Sequence, residues 1–260
     1  LAAATLLLAV LAHAGANVVN DYFDDLNGAD AANTGRIFPF TGGARFIQQH
    51  LVTANETLRY GLLLLGIAVI GGSGLALVSG PGLLAIGAVG LAIGWSYSAP
   101  PLQLMSRGLG ELAVTLAWAL IVIGAAFVQQ REFTLPPLLC AVSYGLMAAN
   151  ILIMNGLPDA IADAQVGKRT LVVRLGPTGS VLAYAGITLA AHGWLAIAIL
   201  RSALPAGAAW GMLSLPLSLS ATFILWFERH SPQQLTTAIQ LTISAALLHG
   251  LGQAMGMLYW

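Results

Sequence analysis

The chain has 260 residues, of which 58% are apolar and only 8% are charged, and its mean hydropathy is +0.83. A soluble domain carries about 25% charged residues, so this composition excludes an ordinary water-soluble monomer. The formal net charge is zero, which gives no electrostatic reason to expect a nucleic acid or an acidic partner. The composition therefore predicts an integral protein of the lipid bilayer.

Eight apolar segments follow one another along the chain, each near the roughly 20 residues that span a bilayer as a helix. They cover about 1–20, 60–79, 82–99, 110–128, 134–154, 178–200, 205–227 and 235–258. We predict an all-α polytopic protein with one transmembrane domain over 1–260. Because Leu1 already lies in an apolar run without the basic start of a signal peptide, we expect an N-terminal helix to be missing.

Basic side chains divide unevenly between the two ends of these spans. If successive spans alternate in direction, eight Lys and Arg residues flank one membrane face, whereas only Arg131 and Arg201 flank the other. The eight are Arg36, Arg45, Arg59, Arg107, Lys168, Arg169, Arg174 and Arg229. Basic loops remain in the cytoplasm, so this face is predicted to be the cytoplasmic side of a bacterial or archaeal plasma membrane.

Two predicted polar loops, about 17–59 and about 155–174, hold most of the charged residues and lie on this same face. The pattern Asn-x-x-x-Asp-x-x-x-Asp occurs in each, as Asn17, Asp21 and Asp25 and as Asn155, Asp159 and Asp163. The two copies are four spans apart on helices that run the same way. This spacing indicates a parallel four-helix repeat.

A spacing of four residues places these side chains on one helical face, if each helix continues through its motif. Asp24 lies seven residues after Asn17 and fits that face better than Asp25 does. Packed carboxylates at a bilayer repel one another and favour a divalent cation. Mg²⁺ is commonly held by carboxylates together with substrate phosphates, so the pattern favours a diphosphate between the two motifs, with Lys168 and Arg169 meeting the remaining phosphate charge. The alternative is that the Asp residues are solvated helix caps.

Four blocks of sequence together resemble the UbiA superfamily of intramembrane aromatic prenyltransferases. They are NVVNDYFDDLNGAD at 17–30, TGGARFIQ at 41–48, YSAPP at 97–101 and NGLPDAIADAQVGKRTLVVRLG at 155–176. The resemblance implies a bundle of nine helices around a cavity open to the bilayer, of which eight are visible here. It also implies an Mg²⁺-dependent enzyme that uses a prenyl diphosphate and a small aromatic acceptor.

The resemblance assigns roles residue by residue. Each Asp motif would bind one side of an Mg²⁺-diphosphate, and Lys168 and Arg169 would neutralise the leaving group; the motif residues are Asn17, Asp21 and Asp24 and Asn155, Asp159 and Asp163. An electron-rich aromatic carbon would then attack the allylic cation. Tyr97 would face that cation, although a tyrosine of the interfacial aromatic belt is the other reading.

The motif details favour one branch of the superfamily. Gly28, Asp30 and the TGGARFIQ segment resemble the menaquinone-pathway members that prenylate 1,4-dihydroxy-2-naphthoate, although Ala44 stands where that branch has Ser. For Arg45, which follows two glycines, three partners remain open: the acceptor carboxylate, the diphosphate and lipid headgroups.

Three rival functions are compatible with parts of this pattern. Another superfamily member would prenylate a different quinone, chlorin or haem precursor. A CDP-alcohol phosphotransferase is disfavoured because Asp25, not Gly, follows Asp24. An ion-coupled transporter is compatible with the repeat, but its carboxylates would be expected near the midplane of the membrane and not at helix ends.

Overall fold

The computed structural model describes residues 1–258, and within that range the chain is helical and contains no strand. The α-helices are α1 (Ala2–Asn27), α2 (Ala29–Ala32), α3 (Ala54–Ser79), α4 (Gly82–Ser98), α5 (Gly110–Gln130), α6 (Leu135–Gln165), α7 (Leu171–Leu200), α8 (Leu215–Glu228) and α9 (Thr236–Met257). Short 3₁₀ helices lie at Met105–Arg107, Ala206–Ser214 and Pro232–Gln234. The prediction of an all-α fold is confirmed.

The predicted spans correspond in order to helical segments of the structure, but the count of eight agrees only roughly. Among residues 1–258, six segments are long and apolar enough to cross a membrane: α1, α3, α5, α6, α7 and the combined segment Ala206–Glu228. Helix α4 is apolar but has 17 residues. Helix α9 lies outside the six and carries Gln240, His249 and Gln253. Exposed side chains such as Leu77, 91% accessible, suit a lipid-facing surface.

The polar segments at 17–59 and 155–174 are partly helical and not wholly loops. Helix α1 continues to Asn27 and ends at Gly28, whose φ is 79° and whose N–H bonds to the Asp25 carbonyl. Helix α6 continues through Pro158 to Gln165. Both Asp motifs therefore lie in the last turns of long helices, which is the condition under which their spacing puts them on one face.

Neighbouring helices pack in chain order, with α1 on α3, α5 on α6, and α6 on α7. The largest cluster of buried apolar side chains among residues 1–258 lies in the C-terminal half and includes Ile153, Leu157, Tyr184, Leu225 and Ile239. Helices α1, α4, α5 and α6 instead enclose an open space. The second half thus forms a packed scaffold, and the first half supplies most of the cavity wall.

Candidate active site

A cavity of about 660 Å³ lies between the ends of α1, α4, α5 and α6. It brings together eight of the side chains that the sequence singled out: Asn17, Asp21, Asp24, Tyr97, Asn155, Asp159, Asp163 and Lys168. Its volume is in the range of small-molecule sites. The two Asp motifs, far apart in sequence, thus line one space.

Lys168 joins the two Asp motifs directly. Its Nζ lies 2.9 Å from Asp24 Oδ1 and 3.3 Å from Asp163 Oδ1, and its side chain is only 5% exposed. Burial alone would lower the pKa of Lys168, but the carboxylates of Asp24 and Asp163 outweigh it and hold that pKa above its ordinary value. Lys168 therefore supplies a fixed positive charge between α1 and α6.

The segment after α2 closes over the cavity and is anchored by Asp159. Asn33 Nδ2 donates to Asp159 Oδ1 at 2.6 Å, and the Gly42 N–H donates to Asp159 Oδ2 at 3.2 Å. Gly42 and Gly43 have φ values of 72° and 65°, which favour glycine. A Cβ on Gly43 would lie 3.2 Å from Asp21 Oδ1, so the loop backbone approaches the first motif closely.

Two predicted site residues are not among those that line the cavity. Arg45 donates from its guanidinium to the carbonyls of Asn33 and Gly42, so it braces the loop above the cavity. Arg169 has an exposed side chain, and its backbone N–H donates to the Ser106 carbonyl. The structure therefore separates Arg169 from Lys168, because consecutive residues after the end of α6 point in different directions.

The sequence reasoning gave no role to two acidic residues that line the cavity, Asp30 and Glu111. Burial, together with the negative charges of Asp24 and Asp21, raises the pKa of Asp30 to about 7. Glu111 is 8% exposed and lies in the first turn of α5. A lone acid at the start of an apolar span was the available signal for Glu111.

The cavity suits a hard divalent cation completed by phosphate. Within residues 1–258, no three His, Cys, Asp or Glu side chains lie close enough to hold a metal ion by themselves. Six acidic side chains nevertheless line this cavity, which we call the acidic cavity. Lys168 is the only Lys or Arg among the lining residues described. The buried Oδ1 of Asn155 has no hydrogen-bond partner there. Mg²⁺ commonly takes one or two carboxylates and obtains its other oxygens from substrate phosphate and water, so the donors present fit it.

The profile of the UbiA prenyltransferase family matches residues 1–253. The chain belongs to the UbiA prenyltransferase family. It is therefore an integral membrane prenyltransferase, as the sequence motifs predicted.

Similar proteins include members of the menaquinone-pathway branch that the sequence motifs resemble. A 1,4-dihydroxy-2-naphthoate octaprenyltransferase of Mycobacterium tuberculosis is 31% identical over 220 residues, covering 83% of this chain and 71% of that protein. Its Bacillus subtilis counterpart is 25% identical over 245 residues, covering 93% and 76%. The solved structure of a UbiA homolog from Archaeoglobus fulgidus, bound to DMAPP and Mg²⁺, covers 97% of this chain and 87% of that chain with a TM-score of 0.63. At 16% identity, this last likeness supports the UbiA fold alone.

Proposed function

We propose that this UbiA-family protein transfers a polyprenyl group from its diphosphate to 1,4-dihydroxy-2-naphthoate, with Mg²⁺ as cofactor. The observation that carries the proposal is the meeting of both Asp motifs around one cavity, bridged by Lys168. Such an arrangement fits a ligand that carries several negative charges together with a cation.

In this proposal Asp21 and Asp24 from α1 and Asp159 and Asp163 from α6 hold the metal-bound diphosphate. Mg²⁺, when bound, neutralises the diphosphate and stabilises the negative charge that develops as the allylic C–O bond breaks. Lys168 lies close enough to both motifs to donate to a phosphate oxygen. The DMAPP and Mg²⁺ bound to the Archaeoglobus homolog support ligands of the same kind here.

A second cavity supports a long apolar substrate. It measures about 410 Å³, is lined mainly by aliphatic side chains of α1, α3, α4 and α5, and shares His13, Ala16, Gly94, Ala117 and Trp118 with the acidic cavity. An isoprenoid chain is stabilised by leaving water for such a surface. The diphosphate would thus bind among the carboxylates, and its chain would extend into the apolar cavity.

The acceptor assignment rests on the relatives and on the shape of the cavity. Several similar proteins are 1,4-dihydroxy-2-naphthoate octaprenyltransferases. Tyr97 and Trp118 line the acidic cavity and offer aromatic faces for a bicyclic ring or an allylic cation. We place this cavity on the cytoplasmic side, because eight of the ten Lys and Arg residues flank that face if the helices alternate.

A competition assay tests the proposal. The purified protein in lipid nanodiscs is given Mg²⁺, a polyprenyl diphosphate and equal concentrations of 1,4-dihydroxy-2-naphthoate, 4-hydroxybenzoate and homogentisate, and the products are read by mass spectrometry. We expect the prenylated naphthalene product to predominate and to disappear when EDTA is added. Predominance of another acceptor would overturn the acceptor assignment, and turnover in EDTA would overturn the cofactor.

A further inference from the structure

Glu111 is the one acidic residue of the cavity wall, within the described chain, that belongs to neither Asp motif nor α2. It lies on α5, which is apolar from Leu112 to Val128 apart from Thr115 and the glycine at 124. Glu111 is 8% exposed, and among residues 1–258 its carboxyl group makes no ion pair and accepts no hydrogen bond from another side chain; its own backbone N–H is the protein donor beside it. A buried carboxyl group that lines a cavity and has no partner from any other residue is a candidate ligand contact.

Glu111 lies in the part of the cavity where the proposed reaction would take place. Glu111 lines the same cavity as Tyr97 and the Asp24 and Asp163 carboxyl groups, so it borders the space where the diphosphate and the acceptor are proposed to meet. Lys168 pairs with Asp24 and Asp163 and leaves Glu111 uncompensated. A hydroxyl group of the acceptor can bind such a carboxylate by donating a hydrogen bond to it.

We infer that Glu111 is the general base that removes a phenolic proton from the aromatic acceptor; this inference rests on the proposed function. The acceptor O–H bond breaks, an O–H bond forms on Glu111, and the ring becomes a phenolate. A ring carbon then bonds to the allylic carbon while the C–O bond of prenyl diphosphate breaks and its electron pair leaves with the diphosphate.

The remaining steps restore the aromatic ring. The group on the attacked carbon leaves without its bonding electrons, as H⁺ from a C–H bond or as CO₂ from a carboxylate. The electron pair returns to the ring, and the oxygen regains its proton from Glu111. The base is therefore regenerated in each turnover, and no oxidant or reductant is required.

The test compares Glu111→Gln and Glu111→Asp with the parent protein and with Glu132→Gln, whose side chain is exposed outside the cavity. Because an amide accepts no proton, Glu111→Gln should lower kcat at pH 7 by about 10²- to 10⁴-fold. The KM for prenyl diphosphate should stay within about threefold, since the Asp motifs are intact. The loss should shrink as the pH rises and solvent ionises the phenol, and Glu111→Asp should recover part of kcat. Glu132→Gln should match the parent.

A second readout does not depend on turnover. With an unreactive thio-analogue of the prenyl diphosphate, bound 1,4-dihydroxy-2-naphthoate should show phenolate absorption at pH 7 in the parent and phenol absorption in Glu111→Gln. The inference is overturned if Glu111→Gln keeps kcat within about threefold of the parent, or if it loses activity equally at every pH with an unchanged spectrum. If the parent binds the diphosphate but prenylates no acceptor, the proposed function itself fails, and the role of Glu111 fails with it.

Discussion

Asp21 and Asp25 lie one helical turn apart on α1 but have different surroundings. Asp21 lines the acidic cavity, whereas Asp25 lies outside its lining and accepts a 3.0 Å hydrogen bond from Gln48 Nε2. We expect Asp21→Asn to lower kcat on the order of a hundredfold, because in the proposed site it would remove a charged oxygen that binds the diphosphate and its metal. Asp25→Asn is the matched control and should keep kcat within about threefold. Steady-state kinetics on membrane-inserted protein measures kcat for both variants. Equal losses of kcat would contradict the assignment of Asp21, and not Asp25, to the site.

The raised pKa of Asp30 makes stability depend on pH. Its ordinary value is 3.8, and in the folded protein it is about 7, so between these values the folded chain binds a proton that the unfolded chain has released. The stability that Asp30 contributes is therefore complete below pH 3.8 and is lost as the pH rises through 7. In EDTA, Asp30→Asn should raise the unfolding midpoint, by more at about pH 8 than at about pH 5. Thermal scans in both buffers measure the midpoint. A larger rise in the midpoint at the lower pH would contradict the raised pKa of Asp30.

Residue types and spacing were enough to select most of the charged residues that line the cavity. A helical face that includes Asn17 and Asp21 favours Asp24 over Asp25, and the structure places Asp24 against Lys168. The same reasoning did not exclude Arg169, because side-chain direction after a helix end depends on turn geometry that the sequence pattern does not specify. Glu111 was passed over because it matches no repeated motif.

At the scale of the elements, Lys168 connects the end of α1 to the end of α6. Lys168→Met leaves Asp24 and Asp163 buried without their positive partner, so we expect a destabilisation on the order of 3 kcal/mol in metal-free protein. Mg²⁺ should restore part of the loss because it supplies the missing positive charge. Arg169→Met, whose side chain is exposed, should change stability by less than about 0.5 kcal/mol. An unchanged midpoint for Lys168→Met in thermal unfolding would show that the bridge does not stabilise the helix ends.

The loop between α2 and α3 was the least predictable element. Its closure depends on the hydrogen bond between Asn33 and Asp159, which are 126 residues apart in sequence. It also depends on positive φ at Gly42 and Gly43. Glycine can adopt positive φ, but the presence of two glycines does not predict that the backbone adopts it. Local patterns predict helices well because their partners lie a turn away, whereas this loop is defined by a distant carboxylate.

At the scale of the whole molecule, hydropathy predicted the order of the helices. It placed the ends of α1 and α6 too early, because both helices continue into polar sequence. The Asp motifs interrupt the apolar runs of α1 and α6, but each helix continues through its motif while Asp21, Asp24, Asp159 and Asp163 line the cavity. Helices α1 and α3 are antiparallel, because Gly71 lies beside Leu8 whereas Gly61 lies beside Val19. Short connections reverse the direction at each step from α3 to α6, so α1 and α6 run the same way. Because the two helices share an orientation, the Asp motifs at their C-terminal ends can meet in one cavity.

This orientation leads to a test of topology. In a Cys140→Ser background, single cysteines at Thr34, Arg169 and His230 should be labelled from the cytoplasmic side, and those at Glu132 and Ser202 from the opposite side. These side chains are exposed and lie between helices, so a probe can reach them without disturbing the packed core. The assignment to the cytoplasm follows from the excess of Lys and Arg residues at that face. An impermeant maleimide applied to spheroplasts and to inverted vesicles measures each position. If all five positions were labelled from the opposite sides, the protein would have the reverse orientation in the membrane. Labelling of Thr34 and Arg169 from different sides would contradict the shared cavity itself.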